Sequence, residues 1–431
     1  MNSDGTSASS EGTAAPPRLL VVAQDEAECP DLEQRLLPLR ERWNVSVVST
    51  GAQALGLLQT HTFAAVITCL ELSDMHGRMF HAQAARERPG TARFVRSNGS
   101  AGLSIPGAPD ANPHLISLDP EPDQWDARVR SVLLLDGWLA QKGVRSLMAR
   151  LRKLPTLPTV YNQVVGALQS PDTPIEKVAR LIAKDPMMTA KLLQVANSAY
   201  FGLEEPVASA VEAVIFLGTE RVKGLVLLAD VFSKFTISNE IGLRVDELWR
   251  HCLESATFAQ TVARWETKDE RQAELAFTAG MLHDIGKLLL AGNLTADYRI
   301  ALEQSRRAQL PLEEVETRFF GASHAQVGAV MMGTWGLPFD LVRAIGFHHT
   351  PAASDDTRFS VLTAVHAGDV LAHRGATDPM QTGAHFNLPY LRRLGLEHHR
   401  NDWRQLCGFK PDPADASPNE DLELRQSSRA N

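Results

Sequence analysis

A chain of 431 residues has room for two or three domains. Its 44% hydrophobic and 22% charged residues are those of a globular protein, and a net charge of -8 argues against a strongly nucleic-acid-binding one. Four scattered cysteines without a CxxC pair exclude a zinc ribbon and fit a reducing, cytoplasmic setting, and neither a secretory signal nor a bilayer-long apolar run is present. In chain order, residues 1–17 are rich in Ser, Gly, Ala and Thr and are expected to be a disordered tail. Residues 18–23 form an apolar run expected to be a buried strand, followed by the acidic turn Gln24-Asp25-Glu26. A helical pattern over 32–43, a strand over 44–50, a helix over 51–60 and a strand over 63–70 come next, then short strands at 93–97 and 114–117. Strands alternating with helices predict a parallel sheet in an α/β sandwich.

Residues 18–130 resemble the receiver domain of response regulators, a flavodoxin-like sandwich. Such a domain uses a carboxylate cluster to hold magnesium, an aspartate to accept phosphate, a hydroxyl to sense it and a lysine to pair with it. By the resemblance, Asp25 and Glu26 fall at or next to the acidic-pair positions, with Gln24 in place of the first acid. Cys69 stands where the phosphoacceptor aspartate is expected, Ser97 matches the hydroxyl, and Leu118 replaces the lysine. The expectation is a pseudo-receiver that makes contacts but does not take up phosphate.

The helix-type spacing over 124–153 first closes the sandwich. Over 131–153 it predicts a linker helix, a candidate seam for a homodimer unless it packs against its own domains. From Leu154 strand-like alternation stops and helical patterns run to about residue 407. Pro155 and Pro158 give an extended lead-in, Thr159, Ser209 and Thr219 are expected helix caps, and Asp185-Pro186 opens a helix. A DNA-reading helix pair is disfavoured because helices 186–198 and 220–235 carry few basic residues. The phrases LPTLPTVYNQV, LIAKDPMMTAKLLQVANSAYFG and AVEAVIFLGTERVKGLVL resemble the HDOD domain of the HD phosphohydrolase superfamily. That resemblance covers roughly 148–350, more loosely to about 375, and implies a bacterial signalling protein in which the helical region 154–407 is an all-helical HDOD domain with a C-terminal helical extension. Residues 408–431, rich in Pro, Asp, Glu and Ser, are expected to be a disordered tail.

The apolar stretch 279–290 contains His283-Asp284 and Lys287. Buried, this pair needs partners, which each other, the backbone or a shared metal ion can supply. Glu247 and His251 lie four apart on one helix face, His324 is expected at a helix start, His348-His349 at a helix end and Asp369 on the following helix. Inward-facing His and carboxylates from several helices build metal sites, and a set without thiolate favours iron, manganese or zinc. The order Glu247, His251, His283, Asp284, His324, His348, His349, Asp369 is similar to the ligand pattern of HD-GYP cyclic-di-GMP phosphodiesterases. The resemblance implies that these residues hold two or three ions, that Asp284 bridges two of them and that Lys287 meets a substrate phosphate. After His349 the chain reads Thr-Pro-Ala-Ala-Ser-Asp-Asp, without the Asp-Gly-x-Gly-Tyr-Pro loop of those enzymes, so cyclic di-GMP is not the implied substrate. His366 and His373 are expected at the surface or behind the ligands. The expected protein is a cytoplasmic, non-catalytic regulator acting on unidentified signalling proteins, with no nucleic acid or membrane partner. The competing reading is a metal-dependent phosphohydrolase of a nucleotide or cyclic nucleotide, with Asp284 and Lys287 as its catalytic residues.

Overall fold

The computed structural model describes residues 16–23, 36–37, 39–69, 71–97, 114–117, 122–155, 158–168, 173–198, 206–235, 237, 241–375 and 385–411. Gln24, Asp25, Glu26 and Leu118, and nearly all of both expected tails, lie outside these. The chain divides into two compact units, Met1–Leu133 and Leu134–Asn431.

The first unit holds five strands: β1 (Arg18–Val22), β2 (Asn44–Val48), β3 (Ala65–Cys69), β4 (Ala92–Ser97) and β5 (His114–Ser117). All pair in parallel in the order 2-1-3-4-5. Side chains alternate across a strand, so Leu19 and Val21 enter one core with Ile67, Phe94 and Trp43, while Leu20 and Val22 enter another with Val66, Leu58 and Phe80. A sheet buried on both faces needs the near-continuous apolar runs that β1 and β3 show. Helix α1 (Gly51–Thr60) begins where the Thr50 hydroxyl accepts from Gln53 N at 3.2 Å. Helix α2 (Gly77–Glu87) was not expected from the sequence. Cys69 closes β3, in register with Arg96, and Ser97 is the last residue of β4.

His81 on α2 is fully buried, with Nε2 2.8 Å from the Thr68 hydroxyl. Burial, and then the nearby Arg93 charge, push its pKa from 6.5 to about 3. Between those values the unfolded chain binds the extra proton, so stability must fall as pH drops below 6.5, by about 1.4 kcal/mol per unit. Acid titration of unfolding should show this slope in the wild type and a shallower one in His81→Leu; equal slopes would exclude His81 as its source.

The linker region is two helices, α3 (Pro122–Ala140) and α4 (Lys142–Arg150). Val129 and Val132 join the first unit's core. Trp138, Val144 and Leu147 are buried in the second unit's own core, so they are not free to form a dimer seam. The second unit continues with α5 (Thr159–Leu168), α6 (Ile175–Ile182), α7 (Pro186–Ala196), α8 (Ala210–Leu217) and α9 (Thr219–Lys234). Ser209 caps α8 through Glu212 N at 3.1 Å. Thr219 is the first residue of α9 rather than its cap: Gly218, at φ 79°, makes the break.

The long helix α10 (Val245–Thr267) packs along α11 (Glu270–Leu282) and α17 (Val361–Gly375). Between those two come α12 (Ile285–Asn293), α13 (Thr295–Ala308), α14 (Leu312–Phe320), α15 (His324–Thr334) and α16 (Phe339–Phe347). The end of the chain supplies α18 (Leu388–Leu394) and α19 (Arg400–Leu406), whose Tyr390, Leu391 and Trp403 pack on Val262, Val370 and Leu371 of α10 and α17. No described helix is long and apolar enough to cross a membrane.

Three glycines let these helices approach backbone to backbone. A Cβ on Gly280 would stand 2.6 Å from Ala256 Cα, one on Gly286 2.7 Å from the carbonyl carbon of His324, and one on Gly368 2.7 Å from Ala259 N. Real side chains do not tolerate such distances. The three crossings α10–α11, α12–α15 and α10–α17 are those that carry the residues of the site below.

Candidate metal centre

His251 projects from the second turn of α10, and His283 and Asp284 sit at the break between α11 and α12. His324 opens α15, His348 and His349 follow α16, and Asp369 lies on α17. All of these are buried except His349, which is half-buried. Their donor atoms form four overlapping groups: Asp284–His324–His348–His349, His251–Asp369–His373, His251–His283–Asp284 and His283–His348–Asp369. Within each group the atoms lie within 4.8 Å of one another. Asp284 Oδ1 is 3.1 Å from His324 Nε2 and 3.8 Å from His348 Nε2. Its Oδ2 is 3.5 Å from both His251 Nε2 and His283 Nε2, and 2.6 Å from Lys287 Nζ. Asp369 Oδ1 is 3.1 Å from His251 Nε2 and 3.5 Å from His283 Nε2.

The backbone sets the ring orientations. A carbonyl only accepts, so His283 Nδ1–H donates to Gly280 O and His348 Nδ1–H donates to Ile345 O, each at 2.7 Å. Burial holds His348 well below the usual histidine range, so the ring is neutral and its Nε2 is a bare lone pair. Burial opposes charge on Asp284, but His283 and Lys287 beside it overcome that and hold its carboxyl well below the usual range. Asp369 is likewise held low against its burial, with His373 and His251 the leading opposing partners. His348 Nε2 faces these carboxylates as a bare acceptor, and it, Asp284 Oδ1 and Asp369 Oδ1 are buried and make no well-formed hydrogen bond among the described residues. Acceptors gathered this closely need a cation or a proton between them. The donor set, imidazole and carboxylate with no thiolate, fits zinc, iron or manganese.

Glu247 does not join these groups. It lies in the first turn of α10, where a carboxylate suits the helix dipole, and it pairs with Arg244 Nε at 3.1 Å. Its side chain is 38% exposed at the rim. His373 joins instead: its Nδ1 is 3.0 Å from Asp369 Oδ1 and its ring stands edge-on to His251. His366 is buried rather than exposed, and both its nitrogens are used: Nδ1–H donates to His348 O at 2.8 Å, and Nε2 accepts from Asn387 N at 2.9 Å. Glu316 on α14 was not foreseen. One of its carboxylate oxygens, Oε2, accepts from His324 Nδ1 at 2.6 Å and from His324 N at 2.7 Å, and Oε1 accepts from Tyr298 OH at 2.9 Å. Burial opposes charge on His324, but Glu316 outweighs it and raises the imidazole to about 9 without a metal.

The centre opens on a cavity of about 260 Å³, whose walls include Arg244, Glu247, Lys287, Arg306 and Glu313.

Residues 154–351, within the helical unit, match the family model of the HDOD domain. A protein of Treponema pallidum (strain Nichols) is 25% identical over 223 residues, 52% of this chain and 43% of the relative. The chain thus spans less than half the length of this curated relative. Among solved structures, an HDOD domain protein of unknown function from Geobacter sulfurreducens superposes with a TM-score of 0.51 at 22% identity, over 68% of this chain and 96% of that one. That likeness is one of fold. Asp369 and His373 lie beyond the matched residues, in the C-terminal extension.

Proposed function

We propose that this protein is a bacterial signal-transduction regulator that acts through protein–protein contacts of its HDOD domain, with a metal centre inside that domain. The observation that carries this reading is the convergence of His251, His283, Asp284, His324, His348, His349 and Asp369 inside the helical unit that the HDOD model matches. The N-terminal unit is read as a flavodoxin-like, receiver-like input domain. Its strand order 2-1-3-4-5 supports this, since that order places a crevice at the carboxyl ends of β1 and β3. Cys69 ends β3 there, and a thiol does not take up phosphate as a carboxylate does, so the domain is read as phosphorylation-defective.

A divalent ion held by these residues would supply Lewis acidity and lower the pKa of a bound water. The chain's own part is to hold Asp284 and Asp369 ionised, to fix the Nδ1–H tautomer of His283 and His348, and to keep Lys287 as a cation against Asp284. A second reading, a metal-dependent phosphohydrolase of a nucleotide or cyclic nucleotide, is favoured by the cavity that reaches the centre past Lys287 and Arg306.

One preparation separates the two. Metal content is measured on the purified full chain, then turnover of bis(p-nitrophenyl) phosphate and of cyclic mononucleotides, for wild type and His283→Ala. The regulator reading expects stoichiometric iron, manganese or zinc in the wild type, lost in the variant, with no turnover in either. Turnover that disappears with His283 would replace it by the hydrolase.

A further inference from the structure

We propose that Glu316 is a positioning residue for the metal centre: it fixes His324 as the Nδ1–H tautomer, aims its Nε2 at Asp284, and makes Asp284–His324–His348–His349 the tightest ion seat. This rests on the metal reading above.

Four rings of the donor groups have an anchored Nδ1. Those of His283, His348 and His373 donate to neutral backbone carbonyls, of Gly280, Ile345 and Asp369. His324 alone donates to a carboxylate. That carboxylate is fully buried, and its three hydrogen bonds come from the His324 ring, the His324 backbone N–H and the Tyr298 hydroxyl. Neither Lys nor Arg pairs with it among the described residues, so its charge is directed through the His324 ring towards Asp284, 3.1 Å beyond Nε2. A carboxylate behind a ligating imidazole fixes the tautomer and raises the basicity of the other nitrogen, and losing it costs 10- to 100-fold in metal affinity. The backbone bond does a second job. It ties the start of α15 to α14, so the carboxylate that sets the ring's donor strength also sets where the ring stands. Tyr298 on α13 holds the other oxygen, which fixes the plane of the carboxylate.

The test uses the full chain and zinc, with affinity read by competition against a chromophoric chelator and folding checked by thermal unfolding. Glu316→Gln keeps an acceptor of the same size but removes the charge; its tightest zinc should bind about 10- to 100-fold more weakly than in the wild type. Tyr298→Phe keeps the charge and should lose less. Nitrogen NMR of zinc-loaded wild type supplies a readout independent of any variant: His324 should carry its proton on Nδ1 and the ion on Nε2. Equal zinc affinity in Glu316→Gln and wild type, or an ion on Nδ1 of His324, overturns the role of Glu316 and leaves the metal centre standing. A wild type that binds no zinc, iron or manganese removes the centre itself, and this inference with it.

Discussion

Asp284→Asn should abolish stoichiometric metal and strongly destabilise the helical unit, and the two effects should come apart in a double variant. Asp284 is fully buried and reaches His324, His348, His251 and His283 within 3.1–3.8 Å, so it belongs to two of the four donor groups. Removing its charge takes the shared carboxylate from both. It also strands Lys287, whose Nζ lies 2.6 Å from Oδ2 and whose side chain is 12% exposed. Breaking a buried ion pair from one side costs on the order of 3–5 kcal/mol, because the remaining charge stays desolvated without a partner. Replacing both partners by uncharged groups of similar volume costs far less. Asp284→Asn combined with Lys287→Met should therefore regain most of the lost stability in denaturant unfolding, yet regain no metal. Retention of full metal by Asp284→Asn would show that the donors do not act as a ligand set. A double variant as unstable as the single one would show that Lys287 is not the source of the loss.

Much of the α/β unit was legible because a sheet buried on both faces leaves apolar runs, as in Leu19-Leu20-Val21-Val22 and Ala65-Val66-Ile67. Helix α2 was not, because it buries only Gly77, Phe80, His81 and Ala84, two of them glycine and alanine and one a histidine, so its apolar pattern is too weak to separate from a loop. In the helical unit, proline and capping residues placed most boundaries to within a residue or two. At Gly218 a positive-φ glycine and the Thr beside it both signal the same break, and the helix starts one residue before the point that a Thr219 cap implies.

The site was readable where ligands mark helix ends. His283-Asp284, His324 and His348-His349 all stand at breaks, where polar groups in an apolar context need a reason. Spacing alone could not choose between Glu247–His251 and Asp369–His373, which have the same i, i+4 geometry. Burial decides: Glu247 lies in the first turn of its helix near solvent, while His373 lies deep along α17. Glu316 left no signal because it sits in Leu312-Glu-Glu-Val-Glu-Thr-Arg, a stretch that reads as a solvated helix face, and only the three-dimensional approach of α14 to the start of α15 singles it out from Glu313 and Glu314.

Gly286→Ala should damage the centre without touching any donor atom. Gly286 lies in the first turn of α12, two residues after Asp284, where the helix crosses the start of α15. A methyl group there would overlap the His324 carbonyl oxygen and stand 2.7 Å from its carbon and 3.0 Å from its Cα. These are backbone atoms and cannot swing aside as a flexible side chain could. The two helices must separate by roughly an ångström to reach van der Waals contact, at a cost of about 1–3 kcal/mol or more. The better helix propensity of alanine returns about 1 kcal/mol at most. That separation moves the backbone of His324 itself, whose side chain now meets Asp284 at 3.1 Å. Ligand geometry tolerates only a few tenths of an ångström, so metal affinity should fall at least about tenfold along with the unfolding midpoint. Gly166→Ala is the control. It lies in helix α5 with nothing within 4 Å of the added Cβ, so the same substitution should be neutral to stabilising by up to about 1 kcal/mol and leave metal content unchanged. If both variants behave alike, close approach at Gly286 is not what brings α12 and α15 together.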